Sequence, residues 1–447
     1  MTGLVTARVT GLVNSSVSDL IENPDNYTLA EWLAWMEAHH PRQIELGLDR
    51  IRVVAARLPL AREHVKVITV GGTNGKGSCV EFLEQMLLAQ GYRVGAYTSP
   101  HLLQYNERVR IDHHAVSDAD LCAAFRAIYA VLGEISLTYF EFGTLAALYL
   151  FSRQPLDVWV LEVGLGGRLD AVNLIDTDAA ILTTIDLDHQ DWLGNDRETI
   201  GTEKAGIFRA QRWAICVDPQ PPQTVFDIAQ KIDAKLLTLD SAIVVERNDN
   251  SWNWRAPALP TAPIYQNLPL PALPLPSAVA ALTAMHALQL PISETSVRDG
   301  LQRANLPGRF QRIEHNGVEI VFDVAHNPQA AHWLAQQLRQ LPVKRTLAVF
   351  EIMQDKDAKG VVDAVGAQID KWFVGGLSDN PRAASPAALA ALLNQYVPDQ
   401  AEISADITDA FAAAIKAARV DDRVVVFGSF FTVAAVMNSL ASRSTSN

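Results

Sequence analysis

Cysteine is scarce in this sequence: Cys79, Cys122 and Cys216 are all there is in 447 residues, far apart and mostly in apolar surroundings. Such thiols build neither a disulfide framework nor a zinc site, so buried free thiols are expected. Long apolar runs are missing too. The longest, near residues 142–151, falls well short of the roughly 20 residues a spanning helix needs, and the first residues lack a basic start followed by an apolar core. A cytoplasmic protein without a membrane partner is therefore expected. Positive charge is the scarcer sign, 37 Lys and Arg against 50 Asp and Glu, for a formal net charge of -13. That balance argues against nucleic acid as a partner and leaves anionic ligands to local clusters. Repeats of solenoid period and long charge runs are absent. What remains is an ordinary globular composition, 49% apolar, with length for two or three domains.

The most informative stretch is residues 65–90, V-K-V-I-T-V-G-G-T-N-G-K-G-S-C-V-E-F-L-E-Q-M-L-L-A-Q. Alternating valine and isoleucine predict a strand, and apolar residues at helical spacing predict a helix from Ser78 to the stop at Gly91. Between them Gly72, Gly75 and Gly77 let backbone N–H groups crowd round a polyphosphate, with Lys76 in reach of the terminal phosphates. Ser78 is placed to hold Mg2+. The stretch departs from the strict phosphate-loop pattern, with Val70 at the first glycine position and Gly77 between lysine and hydroxyl. The plain alternative is a glycine-rich turn.

The first 25 residues are weakly patterned, and helices are expected from Thr28 and over 48–58, joined by a loop at Glu45 to Gly47. A strand over 92–97 ends in T-S-P-H-L, which sets Ser99 beside the phosphate loop if the sheet is parallel; a serine before proline is more often a turn former. Residues 136–151 read as an aromatic loop feeding a buried helix. The strand over 158–163 carries one carboxylate, Glu162, at its end. An acid there is costly to bury unless paired or bound to metal, which suggests a Mg2+ ligand. Another strand, 179–185, leads to Asp188 and His189, and His189 becomes the third polar group at a strand end. Lys204 follows in a short helix, where a lysine ordinarily snorkels to solvent. Short strands with a hairpin at 248–250, an extended proline-rich stretch over 255–276 and a helix over 277–290 complete the first part. L-P-G-R-F at 306–310 reads as a hinge, after which strands and helices alternate as in a second open α/β sheet. Its first strand ends in D-V-A-H-N-P, with Asp323, His326 and Asn327 on the turn.

The set G-T-N-G-K-G-S (72–78), S-P-H-L (99–102), L-T-Y-F-E (137–141), E-V-G-L-G-G-R-L-D-A (162–171), L-D-H (187–189), E-K-A-G-I-F (203–208), L-P-G-R (306–309), D-V-A-H-N-P (323–328) and D-K-D (355–357) resembles the bacterial dihydrofolate synthase/folylpolyglutamate synthase family of the Mur ligase superfamily. The resemblance runs from about Trp32 to the last helix. It implies an α/β protein of two domains: an ATP- and pterin-binding domain of the P-loop NTPase type over 1–307, a linker over 308–315, and a Rossmann-like domain over 316–447. The implied reaction is ATP-dependent ligation of L-glutamate to dihydropteroate, forming dihydrofolate, and to reduced folates, forming folylpolyglutamates, through an acyl phosphate. A folylpolyglutamate synthase without the first activity and a muramyl-type peptide ligase are the alternatives.

By the same resemblance Lys76, Glu162, His189 and Lys204 carry the catalysis, with Lys204 present as its N-carbamate. Thr73, Asn74, Gly75, Lys76, Ser277, Arg309 and Asp323 bind ATP, with His326 nearby. Ser78, Ser99, Glu162 and His189 hold Mg2+, in two sites, and a monovalent cation such as K+ is a further candidate. Glu45, Leu46, Gly47, Leu137, Thr138, Tyr139, Phe140, Leu169, Asp170 and Ala171 touch the pterin. The implied partners are small molecules alone, with the chain a monomer. Departures from the family pattern are Ser277 for an asparagine, Val172 for a threonine, Glu351 for a glycine and Phe431 for a histidine.

Overall fold

The computed structural model describes residues 26–341, 343–396 and 401–444; the first 25 residues lie outside them. The chain divides after Ala304 into two compact units. The first is built on an eight-stranded sheet: β1 Lys66–Gly71, β2 Val94–Tyr97, β3 Val109–Ile111, β4 His114–Ala115, β5 Val158–Glu162, β6 Ala179–Leu182, β7 Trp213–Cys216 and β8 Lys235–Thr238. Its order is β4-β3-β2-β5-β1-β6-β7-β8, parallel except where β3 and β4 run back along one edge. The centre, β5-β1-β6, consists of apolar runs buried on both faces, as parallel strands covered by helices require. Register decides what happens at the carboxyl edge. Tyr97 lies opposite Leu161, Val70 opposite Glu162 and Gly71 opposite Leu182, so the chain leaves β2, β5, β1 and β6 at one level. Glu162 is the last residue of β5, and the stretches that follow the other three strands bear Ser99, the phosphate loop and His189.

A second, antiparallel sheet of the first unit comprises β9 Val244–Arg247, β10 Ser251–Arg255 and β11 Tyr265–Pro269. The hairpin at 248–250 is as expected, but β11 corrects the expectation of little regular structure over 255–276. Tyr265 and Leu268 pair with the buried Trp254 and Trp252. Covering two indoles, rather than local propensity, draws this proline-flanked segment into a strand. Helices Asp118–Leu132 and Glu294–Arg303 also exceed the expectations, and both begin at a serine N-cap, Ser117 and Ser293. All three cysteines are free and buried, as expected. Among the described residues no helix is long and apolar enough to cross a membrane.

The second unit carries β12 Gln311–His315, β13 Val318–Asp323, β14 Thr346–Phe350, β15 Lys371–Gly376, β16 Ala401–Asp406 and β17 Arg423–Phe427 in the order β12-β13-β17-β14-β15-β16. All neighbours are parallel except β12 and β13. Residues 311–315, expected within a linker, are therefore an edge strand. The cause is Asn316-Gly317, whose positive φ angles of 54° and 77° make the tight hairpin turn that this dipeptide favours. The last helix runs Phe430–Ser444, two residues into the tail expected to fray after Ser442.

Candidate active site

The phosphate loop is braced from behind by the chain leaving β6. Thr73 N–H donates to Thr184 O at 2.6 Å, Asn74 N–H to Thr184 Oγ1 at 3.0 Å, and Asp186 N–H to Thr73 Oγ1 at 3.0 Å. The approach is close enough that a Cβ on Gly72, at φ 139°, would fall 1.9 Å from Thr183 Oγ1. The following helix begins at Lys76, two residues before the expected Ser78, with Gly75 as its cap. Its first-turn amides are thus the ones facing the loop, with the helix dipole behind them. Lys76 Nζ donates to Gly72 O at 3.1 Å and Thr73 O at 3.2 Å. Ser277 joins the same loop from the helix Leu275–Ala287, its Oγ donating to Gly75 O at 3.1 Å.

At the neighbouring strand ends Ser99 N–H donates to Glu162 Oε2 at 3.2 Å. Both residues are buried, and Ser99 Oγ has no hydrogen-bond partner. A dry hydroxyl beside a carboxylate could hold a hard cation such as Mg2+. The charge of Glu162 also reaches Cys79, the neighbour of the buried Ser78: burial first, then that charge, raises the Cys79 thiol. His189 comes from the chain that follows β6, on the other side of β1, in a left-handed conformation at φ 52°. Its N–H donates to Asp188 Oδ1 at 2.8 Å, and its Nε2 stands 3.9 Å from Asp188 Oδ2.

Lys204 does not snorkel. It is buried in the last turn of the helix Arg197–Ala205, and burial, then the charge of Lys76, pulls its ammonium down to about 7, against the pull of Asp188 and Asp170. These four groups form one charge cluster. Asp170 is turned into its own loop, accepting from Gly164 N–H at 3.0 Å, Leu165 N–H at 2.9 Å and Val172 N–H at 3.0 Å. Burial nevertheless pushes its carboxyl up to about 7. Arg168 N–H donates to Glu203 O at 2.8 Å, tying this glycine-rich loop to the helix of Lys204.

The three segments assigned to the pterin come together. Gly47 N–H donates to Leu169 O at 3.2 Å, and Arg50 bridges Glu45, through Nη1 and through Nη2 to its carbonyl at 2.8 Å, to Glu141 at 3.3 Å. Phe140 packs so closely on Gly164 that a Cβ there would meet its ring at 2.6 Å. Side-chain roles differ from the expectation, however. The Glu45 carboxylate is already engaged by His40 at 3.2 Å and by Arg50, and the His40 hydrogen bond leads in holding it below the usual range. Thr138 caps the helix Tyr139–Phe151 in a box with Glu141, while Leu137 and Ala171 belong to the core. Leu46, Tyr139, Phe140 and Leu169 remain partly exposed.

In the second unit Asp323 ends β13 and accepts from Phe310 N–H and Ala325 N–H, each at 2.8 Å. Burial pushes it up to about 6 despite the opposing charge of Arg309. The Arg309 guanidinium lies 5.1 Å from the ring centre of Phe430, which is 6.4 Å from the ring of His326. Arg309, Asp323 and His326 thus form one cluster, with Phe430 an aromatic member that no sequence motif had marked.

Residues 70–242 match the Mur ligase middle domain and residues 308–430 the Mur ligase, glutamate ligase domain. The dihydrofolate synthase/folylpolyglutamate synthase of Escherichia coli is 44% identical over 416 residues, 93% of this chain and 96% of that protein. The chain belongs to the dihydrofolate synthase/folylpolyglutamate synthase family. Among solved members of that family, E. coli FolC in complex with DHPP and ADP matches with a TM-score of 0.89 at 43% identity, covering 94% of this chain and 99% of that one. A bifunctional folylpolyglutamate synthase/dihydrofolate synthase with Mn, AMPPNP and L-glutamate bound matches with a TM-score of 0.86 at 44% identity, covering 93% and 99%. Membership of the family accounts for both α/β units.

Proposed function

We propose that this chain is an ATP-dependent ligase that joins L-glutamate to dihydropteroate, giving dihydrofolate, and to reduced folates, giving folylpolyglutamates. The observation that carries the reading is the loop 162–171, which links Glu162 beside Ser99 at one end to the Gly47–Leu169 hydrogen bond at the other. A phosphoryl site and an acceptor site thereby share one short segment.

In this reading the acceptor carboxylate attacks the γ-phosphorus of ATP, ADP leaves, the amino group of glutamate attacks the acyl carbon, and phosphate departs as the nitrogen loses a proton. Thr73, Asn74, Gly75 and Lys76 hold the nucleotide phosphates, with Ser277 behind the loop and Arg309 and Asp323 the residues of the second unit given to ATP. Lys76 and the first-turn amides offset charge on the phosphoryl group as it moves. Ser78, Ser99, Glu162 and His189 would hold Mg2+, in two sites, which supplies further charge compensation when bound. A monovalent cation such as K+ belongs to the same reading. Burial of Lys204 supports the carbamate: only the free amine attacks CO2, forming an N–C bond as a proton leaves, and a group near 7 is substantially free at neutral pH. The product is an anionic oxygen ligand. Every residue invoked comes from the one chain, so a monomer suffices.

The test is ADP release by the intact protein with dihydropteroate, tetrahydrofolate or a muramyl peptide as acceptor. Release should require both a pteroate or folate and glutamate. Failure with dihydropteroate alone would leave a folylpolyglutamate synthase, and release with the muramyl peptide alone would move the chain to the peptide ligases.

A further inference from the structure

Arg108 ends the turn Tyr105–Arg108 that leads into β3, and its side chain is among the largest fully buried ones, with the residue 2% exposed. Its Nε donates to His101 Nδ1 at 2.8 Å. Accepting there leaves the imidazole neutral with its proton on Nε2. His101 therefore brings no negative charge. The guanidinium carbon lies 5.3 Å and 5.6 Å from the ring centres of Tyr105 and Tyr139, contacts that offset part of the cost of burial. Among the described residues no carboxylate comes within ion-pair distance of Arg108, and neither Nη donates a hydrogen bond.

The protein treats two other guanidinium groups differently. Arg110, two residues on, is held by Glu84 at 2.7 Å, by Thr98 Oγ1 and by Glu107 O, both at 3.2 Å. Arg423, buried like Arg108, donates to Glu319 at 2.7 Å and to two backbone carbonyls. A buried cation without a counter-charge is costly, and a planar fork with both Nη groups open matches a carboxylate.

The surroundings identify whose carboxylate. Arg108 is bonded to the turn that carries Ser99, two residues before His101, and it stacks on Tyr139, whose neighbour Phe140 packs against the 162–171 loop. The nucleotide phosphates have the Lys76 loop after β1 for their charge. We propose that Arg108 binds a carboxylate of the acceptor, an inference that rests on the ligase reading above and adds a polar anchor to the aromatic acceptor segment.

Binding of pteroate, folate and 6-hydroxymethylpterin to the intact wild-type protein, to Arg108→Gln and to Arg108→Lys tests it. Pteroate offers the benzoate carboxylate alone, folate the glutamyl carboxylates alone, and the third compound the ring with neither. Arg108→Gln should bind pteroate, folate or both at least tenfold more weakly, the compound that loses affinity naming the carboxylate, with hydroxymethylpterin and Mg-ATP unaffected. Arg108→Lys, which keeps the charge without the fork, should fall between. Undiminished binding of both acids, or an equal loss for hydroxymethylpterin in whichever variant folds, would overturn the proposal in favour of a stacked structural arginine. A wild-type protein that binds neither acid would overturn the ligase reading itself.

Discussion

Ser277 Oγ donates a 3.1 Å hydrogen bond to the carbonyl oxygen of Gly75, tying the helix Leu275–Ala287 to the phosphate loop across 202 positions of sequence. The serine stands where the family pattern has an asparagine, so this chain supports its loop through the shorter side chain. A net hydrogen bond is worth about 1 kcal/mol. Ser277→Ala should therefore raise the KM for ATP about fivefold while changing kcat little, as steady-state rates at saturating acceptor and glutamate will show. A fall in kcat with KM unchanged would mean that Ser277 acts on the chemical step instead.

Lys76→Ala and Glu162→Gln should each lower kcat/KM by about 10²- to 10³-fold, because each removes charge set against the migrating phosphoryl group. Glu162→Gln still offers an oxygen to Ser99 N–H, so its melting temperature should stay near wild type. Near-normal turnover of Glu162→Gln at saturating Mg2+ would remove Glu162 from the metal site.

Lys204 titrates near 7 when folded, below the 10.5 of a free lysine. The folded protein then binds fewer protons than the unfolded chain between those values, so this residue makes stability rise with pH from about 7 to about 10.5. Activity should climb from pH 6 to pH 8 as the amine becomes free to take up CO2. Degassed, bicarbonate-free enzyme should lose activity and regain it on adding bicarbonate, and 13C-labelled bicarbonate should give a carbamate resonance that Lys204→Gln lacks. A bicarbonate-independent enzyme with no such resonance carries a plain lysine.

Glu351 replaces the family glycine and is fully buried after β14, accepting from Ser429 Oγ at 3.0 Å and Thr432 Oγ1 at 2.7 Å while its Oε1 has no partner. Burial pushes its carboxyl up to about 7 from 4.5. Its contribution to stability is thus complete below about 4.5 and lost as pH rises through about 7. Glu351→Gln keeps an acceptor for both hydroxyls without titrating. Relative to that variant, wild type should lose on the order of 3 kcal/mol between pH 4 and pH 9, read from denaturant unfolding. Parallel pH profiles would show that folding leaves the carboxyl at its ordinary value.

Glu45→Ala should raise the KM for dihydropteroate several-fold more than that for tetrahydrofolate and leave the KM for Mg-ATP unchanged. The ion pair with Arg50, which also reaches Glu141, makes this loop a support for the aromatic segment. Equal losses on both acceptors would make that support general.

Short-range chemistry carried much of this protein in its sequence. The glycines and lysine of the phosphate loop, the apolar runs of β1, β5 and β6, and the acid at the end of β5 are properties of stretches of about twenty residues or fewer, where periodicity and backbone freedom act directly. Serine caps at Ser117 and Ser293 and the Asn316-Gly317 turn were equally local, although no element had been expected from them. Tertiary structure alone decided the rest. The motif containing Lys204 gives no sign that its amine loses contact with water, because that depends on the loop 164–171 packing over it. Ser277 gained its role only when a helix about two hundred residues downstream reached the cap of the loop. Trp252 and Trp254 recruited β11 from a segment whose own prolines argue against a strand. Glu45 and Asp170, both acids in motifs, had their carboxylates taken up by Arg50 and by backbone amides, and Arg108 was left without a counter-charge while Arg110 found Glu84. Burial and hydrogen-bond pairing are sums over neighbours that the chain brings together from far apart, so they decide the charge and availability of a side chain after sequence has decided its identity.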